Sequence, residues 1–425
     1  MRLIEKVINL SKAGLIDQAI SILEDFTKKH PNEHEGAHRY LSILYIRKGL
    51  DEKALETLEK GVKNNPDNLW LKLFLGDILF YDLYKEKRAV EIYEEIYSKF
   101  KFPVKSTMSP YRYVLKRLSS YYYKEKEYQK ANYYYEKFFE IEPSDFYGSD
   151  FIKYSDLLMN LGEPEKALKI LKTGIDTHPG EKLLFDFAAA QFPKEQFTFR
   201  EKKNKGKIDH IEKITVKTKL FREGHDLIKE IDEATKRIRK PGDIITISSC
   251  VAAIAEERVI PVDIIKPSLL ARCASHLVSQ KSVPFGGAAP LANPYAMQVA
   301  IEEAGNFKII LAVLLGAVGK LLGKNGVFYK VAGPQSALID DPPASIPPYD
   351  YCIIPGPTNS FGLAKKIKER TGCEAAIIDA NDLGNAWAVG YTEKINKNML
   401  EIALSDNPSG NEDQGTPIVI VRGLV

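Results

Sequence analysis

A short pattern that returns at nearly constant spacing along the first half of the chain restricts its fold more than any other feature. Gly14-Leu-Ile-Asp-Gln-Ala19 recurs as Gly49-Leu-Asp-Glu-Lys-Ala54 and as Gly162-Glu-Pro-Glu-Lys-Ala167, and weaker copies surround Ala89 and Ala131. A leucine or tyrosine follows each alanine by four positions, and a proline follows four of the five alanines by twelve. A small residue lets two helices approach closely, and proline ends a helix. The pattern therefore predicts five repeats of two helices and a turn over residues 1–192.

This pattern resembles the tetratricopeptide repeat, in which glycine, alanine and proline occupy the corresponding positions. The resemblance implies an all-α solenoid whose concave face receives a peptide or protein partner. A plainer interpretation is that the array only dimerises or stiffens the molecule, and the sequence leaves both open.

Composition separates this helical half from the rest of the chain. Of the 43 aromatic residues, 32 precede residue 211. Residues 194–207 carry six basic and two acidic side chains, a composition typical of a solvated linker. We therefore expect a basic linker at residues 193–210 and a second domain at residues 211–425.

Charge and hydropathy limit the partners expected from sequence alone. The formal net charge of +3 is too small to indicate a nucleic-acid or membrane partner. The longest apolar run, Ile309 to Val318, is too short to span a bilayer, and the four cysteines have no CxxC spacing. We expect a cytoplasmic protein with no nucleic-acid and no membrane partner.

Residues 211–425 consist of short β-branched runs separated by glycine and proline. Strands are predicted at 211–217, 243–248, 308–314, 327–331, 351–354, 375–378 and 417–421. Helices are predicted at 226–239, 267–278, 294–303 and 360–371. Strands mixed with helices predict an α+β domain with a mixed sheet.

Several short strings in this half occur in a recognisable order: Gly224-His-Asp-Leu227, Asp243-Ile-Ile-Thr-Ile-Ser-Ser249, Ala255-Glu-Glu-Arg258, Ile377-Ile-Asp-Ala-Asn-Asp-Leu-Gly384 and Pro417-Ile-Val-Ile-Val-Arg-Gly423. Together they resemble the coenzyme F-420:γ-L-glutamyl ligase family, and the resemblance covers residues 211–425. It implies a ligase that uses GTP and a divalent cation to join glutamate to a carboxylate through an acyl phosphate. It also allows a homodimer.

The sequence departs from the family pattern where metal and phosphate should bind. Ser249-Cys250 stands where the family has Ser-Lys, Pro334-Gln335-Ser336 stands in place of an acidic loop, and Asp379-Ala380 replaces Asp-Thr. These departures keep a second function open: a catalytically degenerate nucleotide- or metabolite-binding module that, with the repeats, acts as an interaction adaptor.

Carboxylates offer the best metal-site candidates, because Mg²⁺ and Mn²⁺ prefer oxygen ligands. Asp379 follows an apolar run, Asp382 lies three residues further, and Asp340 with Asp341 precedes a pair of prolines. We predict that Asp379 with Asp340 or Asp341 binds Mg²⁺ or Mn²⁺. Alternatively, Asp379 makes an Asx-type turn and the other pair begins a proline-rich loop.

Candidates for the phosphates of GTP or ATP come from the same half of the chain. Ser248 and Ser249 end a predicted strand, and Gly333 and Arg258 offer a backbone donor and a cation. Turn formation is the alternative for Gly333. The substrate would be a small-molecule or peptide carboxylate. No catalytic residue is assigned, and Cys250 is interpreted as an inert thiol.

Overall fold

The computed structural model describes two compact units, Met1–Gly174 and Ile175–Val425. The described residues are 2–32, 35–99, 109–141, 146–199, 208, 210–278, 290–324, 326–340, 346–381, 384–410 and 414–424. The division between the units falls inside a helix, so the domain boundaries at residues 192 and 211 stay predictions. Half of the predicted linker, residues 200–207 and 209, lies outside the described residues.

In the described parts of the N-terminal half there are helices and no strand, as the repeat pattern predicts. They are α1 (Arg2–Lys12), α2 (Ile16–Lys29), α3 (Glu35–Arg47), α4 (Asp51–Asn64), α5 (Leu69–Asp77, continued by the π-helical turn Ile78–Asp82), α6 (Glu86–Ser98), α7 (Pro110–Lys124), α8 (Tyr128–Phe139), α9 (Gly148–Asn160), α10 (Pro164–Thr177) and α11 (Lys182–Gln191).

The alanines that define the repeat lie where the helices are most closely packed. Ala19, Ala54, Ala89, Ala131 and Ala167 are all fully buried. So are the large side chains four positions later, one turn further along each helix: Leu23, Leu58, Tyr93, Tyr135 and Leu171. The sequence prediction of helical repeats is therefore confirmed.

Each repeat also has one residue with left-handed backbone five positions before its alanine. Gly14, Gly49 and Gly162 occupy this position in the three strong copies, with φ of 78°, 69° and 77°. In the weaker copies the same position holds Tyr84 (φ 53°) and Lys126 (φ 60°). A side chain is strained in this region, whereas glycine is not. The repeat thus retains its turn conformation even where it has lost the glycine.

Replacing Tyr84 with glycine should stabilise the array. Tyr84 is 79% exposed, so the change removes little packing and relieves left-handed strain. We expect a gain of roughly 0.5–1 kcal/mol in the free energy of unfolding, measured by urea denaturation. Glu91→Gly, at an exposed right-handed position within α6, is the control and should lose about 1 kcal/mol. Equal losses in both variants would contradict the strain argument.

The C-terminal half contains a five-stranded mixed sheet in the order β1-β7-β2-β5-β6. The strands are β1 (Glu212–Val216), β2 (Ile244–Ser248), β5 (Glu374–Asn381), β6 (Asn385–Tyr391) and β7 (Ile418–Arg422). Only β2 and β5 are parallel neighbours; the other three pairings are antiparallel. A two-stranded sheet joins β3 (Ile260–Pro261) to β4 (Cys352–Ile353). The predicted α+β class with a mixed sheet is confirmed.

Helices cover both faces of the five-stranded sheet. Alternate residues of each strand point to opposite sides, so one strand contributes side chains to two hydrophobic clusters. Ile245 and Ile377 belong to a cluster with α12 (Leu227–Thr235) and α19 (Ser360–Thr371). Ile244 and Ile378 belong to a second cluster with α20 (Lys397–Ala403). The remaining helices are α13 (Ser249–Ala255), α14 (Leu269–Leu277), α15 (Pro294–Ala304), α16 (Asn306–Leu321), α17 (Val327–Ala332) and α18 (Pro334–Ala337).

Two predicted strands are wrong. Residues 308–314 lie within α16 and residues 327–331 within α17. α16 is sixteen residues long, which is typical of a helix and too long for an ordinary strand. Within the described chain, no single helix is long and apolar enough to cross a membrane; α15 and α16 pass that test only as a pair, bent by 117°.

Candidate functional site

The two central parallel strands carry the first elements of the site. Ser248 of β2 is paired with Ile378 of β5, so both strands reach the same edge of the sheet with Ser249 and Asp379 as the next residues. Ser249 begins α13 and is 5% exposed; its hydroxyl donates a hydrogen bond to Asp379 Oδ1 at 3.0 Å. The carboxyl ends of parallel strands are where open sheets present side chains to ligands.

Asp379 lies within a strand and not after one. The sequence places the end of this strand at Ile378, whereas β5 continues to Asn381. The reason is β6, which pairs in antiparallel fashion beyond this point and sets Asp379 opposite Trp387. The carboxylate is therefore fixed by a backbone ladder as well as by Ser249.

Asp340 reaches the same site from a distant part of the chain. Its backbone makes an isolated bridge with Ile354: the Asp340 N–H donates to the Ile354 carbonyl at 2.9 Å, and the Ile354 N–H donates to the Asp340 carbonyl at 3.0 Å. Its carboxyl accepts a hydrogen bond from the Cys250 thiol and lies close enough to Asp379 to feel its charge. Ser249 and Cys250, at the start of α13, thus each contact one of the two carboxyls.

The surroundings of Asp340 and Asp379 disfavour a negative charge on both carboxyls unless a cation lies nearby. Burial and the charge of Asp379 raise the pKa of Asp340 to about 7. Burial also raises the pKa of Asp379 to about 6, against the opposing hydrogen bond from Ser249. Both effects penalise negative charge that a divalent cation would neutralise. The donor set, two carboxyls and a hydroxyl, is the oxygen chemistry that Mg²⁺ and Mn²⁺ select.

The pair does not form a complete metal centre by itself. Among the described residues, no group of three or more histidine, cysteine or acidic side chains has an arrangement able to hold a metal. The other two predicted ligands, Asp341 and Asp382, lie outside the described residues. The described part of the site would therefore supply a minority of an ion's ligands, with the rest coming from water or phosphate oxygens.

The predicted phosphate-binding residues have different surroundings. Ser248 ends β2, where its backbone N–H donates to the Pro417 carbonyl at 3.0 Å. Arg258 donates to Glu303 at 2.9 Å in an ion pair. Gly333 links α17 to α18 with φ of 102°, a conformation that explains why glycine stands there. Of the four candidates, only Ser249 is shown in contact with the carboxyl pair.

Two residues near these positions were not predicted to have a role. Cys250, interpreted as an inert thiol, contacts Asp340. Lys308 was assigned to a strand, yet a Cβ added at Gly333 would lie 3.0 Å from its Nζ. In the sequence, a role for Cys250 is indicated only by its place directly after Ser249 at a strand end. No local pattern indicates a role for Lys308, because Gly333, the residue near it in space, is 25 positions away.

Arg422, at the end of β7, has a structural role. Its guanidinium donates to both oxygens of Asp243, at 2.9 and 3.0 Å, and to Glu212 at 2.8 Å. Burial raises the pKa of Asp243, but the guanidinium of Arg422 and the backbone N–H of Lys240 together hold it below its ordinary value. These bonds tie the edge strand β1 and the start of β2 to β7.

Comparison with known proteins agrees with the motifs in the second half. Residues 215–394 match the family model described as F420-0:gamma-glutamyl ligase. This segment contains Ser249, Cys250, Asp340 and Asp379. The resemblance inferred from the ordered motifs is therefore confirmed for this part of the chain.

The N-terminal half has relatives among repeat proteins. Tetratricopeptide repeat protein 21A of Mus musculus is 28% identical over 173 residues, which are 41% of this chain and 12% of that protein. Solved structures similar to the chain include MamA (22% identity, TM-score 0.31, 39% of this chain and 91% of that one) and YrrB, described as a TPR protein with an unusual peptide-binding site (17% identity, TM-score 0.33, 44% and 90%). The chain thus combines a tetratricopeptide-type repeat region with a segment, residues 215–394, that matches the F420-0:gamma-glutamyl ligase family.

Proposed function

We propose that the C-terminal half is a nucleotide- and divalent-metal-dependent ligase that forms an amide bond of the γ-glutamyl type. In such a reaction the terminal phosphoryl group of GTP or ATP passes to a carboxylate. The amine of an amino acid such as glutamate then displaces phosphate and forms the amide. The family match to residues 215–394 supports this class of reaction.

One observation carries the proposal: Asp340 and Asp379, 39 positions apart, meet at the edge of the sheet with their pKa values raised by burial. In our proposal these carboxyls hold Mg²⁺ or Mn²⁺, which supplies positive charge against the nucleotide phosphates. Ser249 and Cys250 orient the two carboxyls through the hydrogen bonds that they donate. Such supporting bonds hold ligands in place before the ion arrives.

The repeat region has a separate part in this proposal. Stacked helical repeats form extended surfaces that suit peptides better than small molecules. We propose that the array binds a peptide or protein partner, which either carries the substrate carboxylate or places the ligase half near it.

A second candidate function is an interaction adaptor whose ligase-like half binds a nucleotide or metabolite without catalysis. Cys250 favours this candidate, because it stands where the family has a lysine that could face phosphate.

The two candidates differ in how ligands stabilise the full chain. For a ligase, we expect Mn²⁺ and GTP together to raise the unfolding temperature by roughly 5 °C at a hundredfold excess over Kd, and by more than the sum of their separate effects. Thermal unfolding with Mn²⁺, GTP and ATP, singly and in pairs, measures this. If a nucleotide raises the unfolding temperature equally with and without metal, or if no pair of ligands raises it, the adaptor is favoured.

A further inference from the structure

Trp387 lies beside the carboxyl pair, on the neighbouring strand. The antiparallel register of β5 and β6 sets Trp387 directly opposite Asp379. Residues directly opposite one another on adjacent antiparallel strands have their side chains on the same face of the sheet, with Cβ atoms about 5 Å apart. The indole is therefore anchored next to one carboxyl of the proposed metal site.

The packing of the two strands independently assigns Trp387 to the face that carries the site. Ala386 and Ala388, its neighbours in β6, belong to the cluster that packs on α20. Ile377, two positions before Asp379, belongs to the cluster of α12 and α19 on the other face. Because side chains alternate along a strand, Trp387 and Asp379 both lie on the α19 side of the sheet.

Much of the indole is open to solvent. Trp387 is 42% exposed, whereas Ala386 and Ala388 are 1% and 4% exposed. Among the residues that the structure describes, the indole makes no hydrogen bond and no ring contact. It stands on β6, the outermost strand of the described sheet. One exposed aromatic ring is ordinary on a protein surface. What distinguishes Trp387 is its position opposite a buried carboxyl.

We infer that the indole of Trp387 is the surface on which the purine base of the nucleotide stacks. This inference rests on the nucleotide-dependent function proposed above. A divalent ion at Asp379 would bridge the outer phosphates of the nucleotide. The base is separated from those phosphates by the ribose, so it must lie near the ion without contacting the ion's ligands. Trp387, on the next strand and the same face, occupies such a position.

Stacking on an indole supplies affinity for the base without reading its identity. Every base has a flat π-face, so aromatic side chains bind bases with little preference among them. Trp387 would therefore strengthen the binding of GTP and of ATP alike, and the choice between them would depend on other residues. A ring of the carboxylate substrate is a poorer occupant, because that substrate need not contain a ring, whereas both nucleotides do.

Isothermal titration of the full chain in saturating Mn²⁺ tests the inference with three probes: GTP, ATP and inorganic tripolyphosphate. Trp387→Ala should weaken GTP and ATP each by roughly tenfold. It should leave tripolyphosphate binding unchanged, because this probe has the phosphates but no ring. Trp387→Phe should restore most of the loss, since phenylalanine keeps a flat face.

Phe361→Ala is the matched control. Phe361 is 58% exposed, and its ring contacts Tyr391 at the other end of β6, with the ring centroids 5.3 Å apart. Four residues of strand separate Tyr391 from Trp387 by about 13 Å. Phe361→Ala should therefore bind all three probes like wild type. Thermal unfolding without ligand checks that each variant is folded.

A second measurement does not depend on losing binding. The chain has two tryptophans, so Trp70→Phe leaves Trp387 as the only one. A base stacked on an indole quenches its fluorescence. In this variant, GTP with Mn²⁺ should therefore quench the emission of Trp387 more strongly than tripolyphosphate with Mn²⁺ does.

The outcomes separate this inference from the proposed function. If wild type binds neither GTP nor ATP, the nucleotide-dependent function is wrong and this inference is wrong with it. If wild type binds GTP and Trp387→Ala binds it equally tightly, only the inference is wrong. The inference is also overturned if Trp387→Ala weakens tripolyphosphate as much as GTP, or if both probes quench Trp387 equally.

Discussion

Asp379→Asn is expected to remove the stabilisation of the C-terminal half by Mn²⁺, with a loss of at least about 100-fold in Mn²⁺ affinity. Asparagine keeps the shape of the side chain and can still accept the hydrogen bond from Ser249, so the fold should persist. What disappears is one of the two negative charges that attract the cation. Isothermal titration with Mn²⁺ measures the change, and thermal unfolding without metal confirms that the variant is folded.

Asp340→Asn should have a similar effect, because both carboxyls belong to one site. Asp406→Asn is the control: this partly exposed aspartate of the same half pairs with Lys213 and should leave Mn²⁺ affinity unchanged. If Asp340→Asn and Asp379→Asn both bind Mn²⁺ like wild type, the metal proposal and the ligase proposal that depends on it are wrong.

The pH dependence of the same site has a definite sign. The pKa values of about 7 for Asp340 and about 6 for Asp379 exceed the ordinary value of 3.8, so the folded state holds protons that the unfolded state releases. Without metal, stability should therefore fall as pH rises from about 4 to about 7. Mn²⁺ affinity should rise over pH 6–8 in wild type, because the carboxyls must lose their protons to bind it.

Arg117→Met is expected to cost about 3–5 kcal/mol of the stability of the repeat region. Asp77 is fully buried, and Arg117 donates to its two oxygens, each at 3.0 Å. Tyr93, also fully buried, donates its hydroxyl to Asp77 at 2.7 Å. Methionine fills much of the arginine volume but leaves the carboxylate without its cation in an apolar interior. Urea denaturation followed by helical circular dichroism measures the loss.

Two further variants separate this cause from lost packing. Adding Asp77→Asn to Arg117→Met removes the stranded charge and should recover a large part of the loss. Arg88→Met breaks an exposed pair with Glu59 and should cost less than about 1 kcal/mol. A double variant no more stable than Arg117→Met would show that packing, and not charge, accounts for the effect.

Much of the architecture follows from local sequence patterns. The repeated alanines identify the helix contacts because only a small side chain fits where two helices touch. The runs at 243–248 and 375–378 predict β2 and β5 because β-branched and small apolar residues between turn signals favour buried strands. Asp379, directly after the second run, and Asp340, shortly before a pair of prolines, are metal candidates because of their local sequence. Each of these features depends on residues near one another in the chain.

Contacts between residues distant in sequence determine the features of the fold and of the site that local patterns do not predict. The pattern at 308–314 is as apolar as a strand, but these residues lie within α16, whose Gly319 packs closely against Val327. Cys250 and Asp340 meet across 90 positions, and Asp77 meets Arg117 across 40. By itself, the sequence determined the repeats, the strand pair and the choice of carboxylates. Tertiary structure alone decided which of them meet, because burial and charge pairing are properties of neighbours in space.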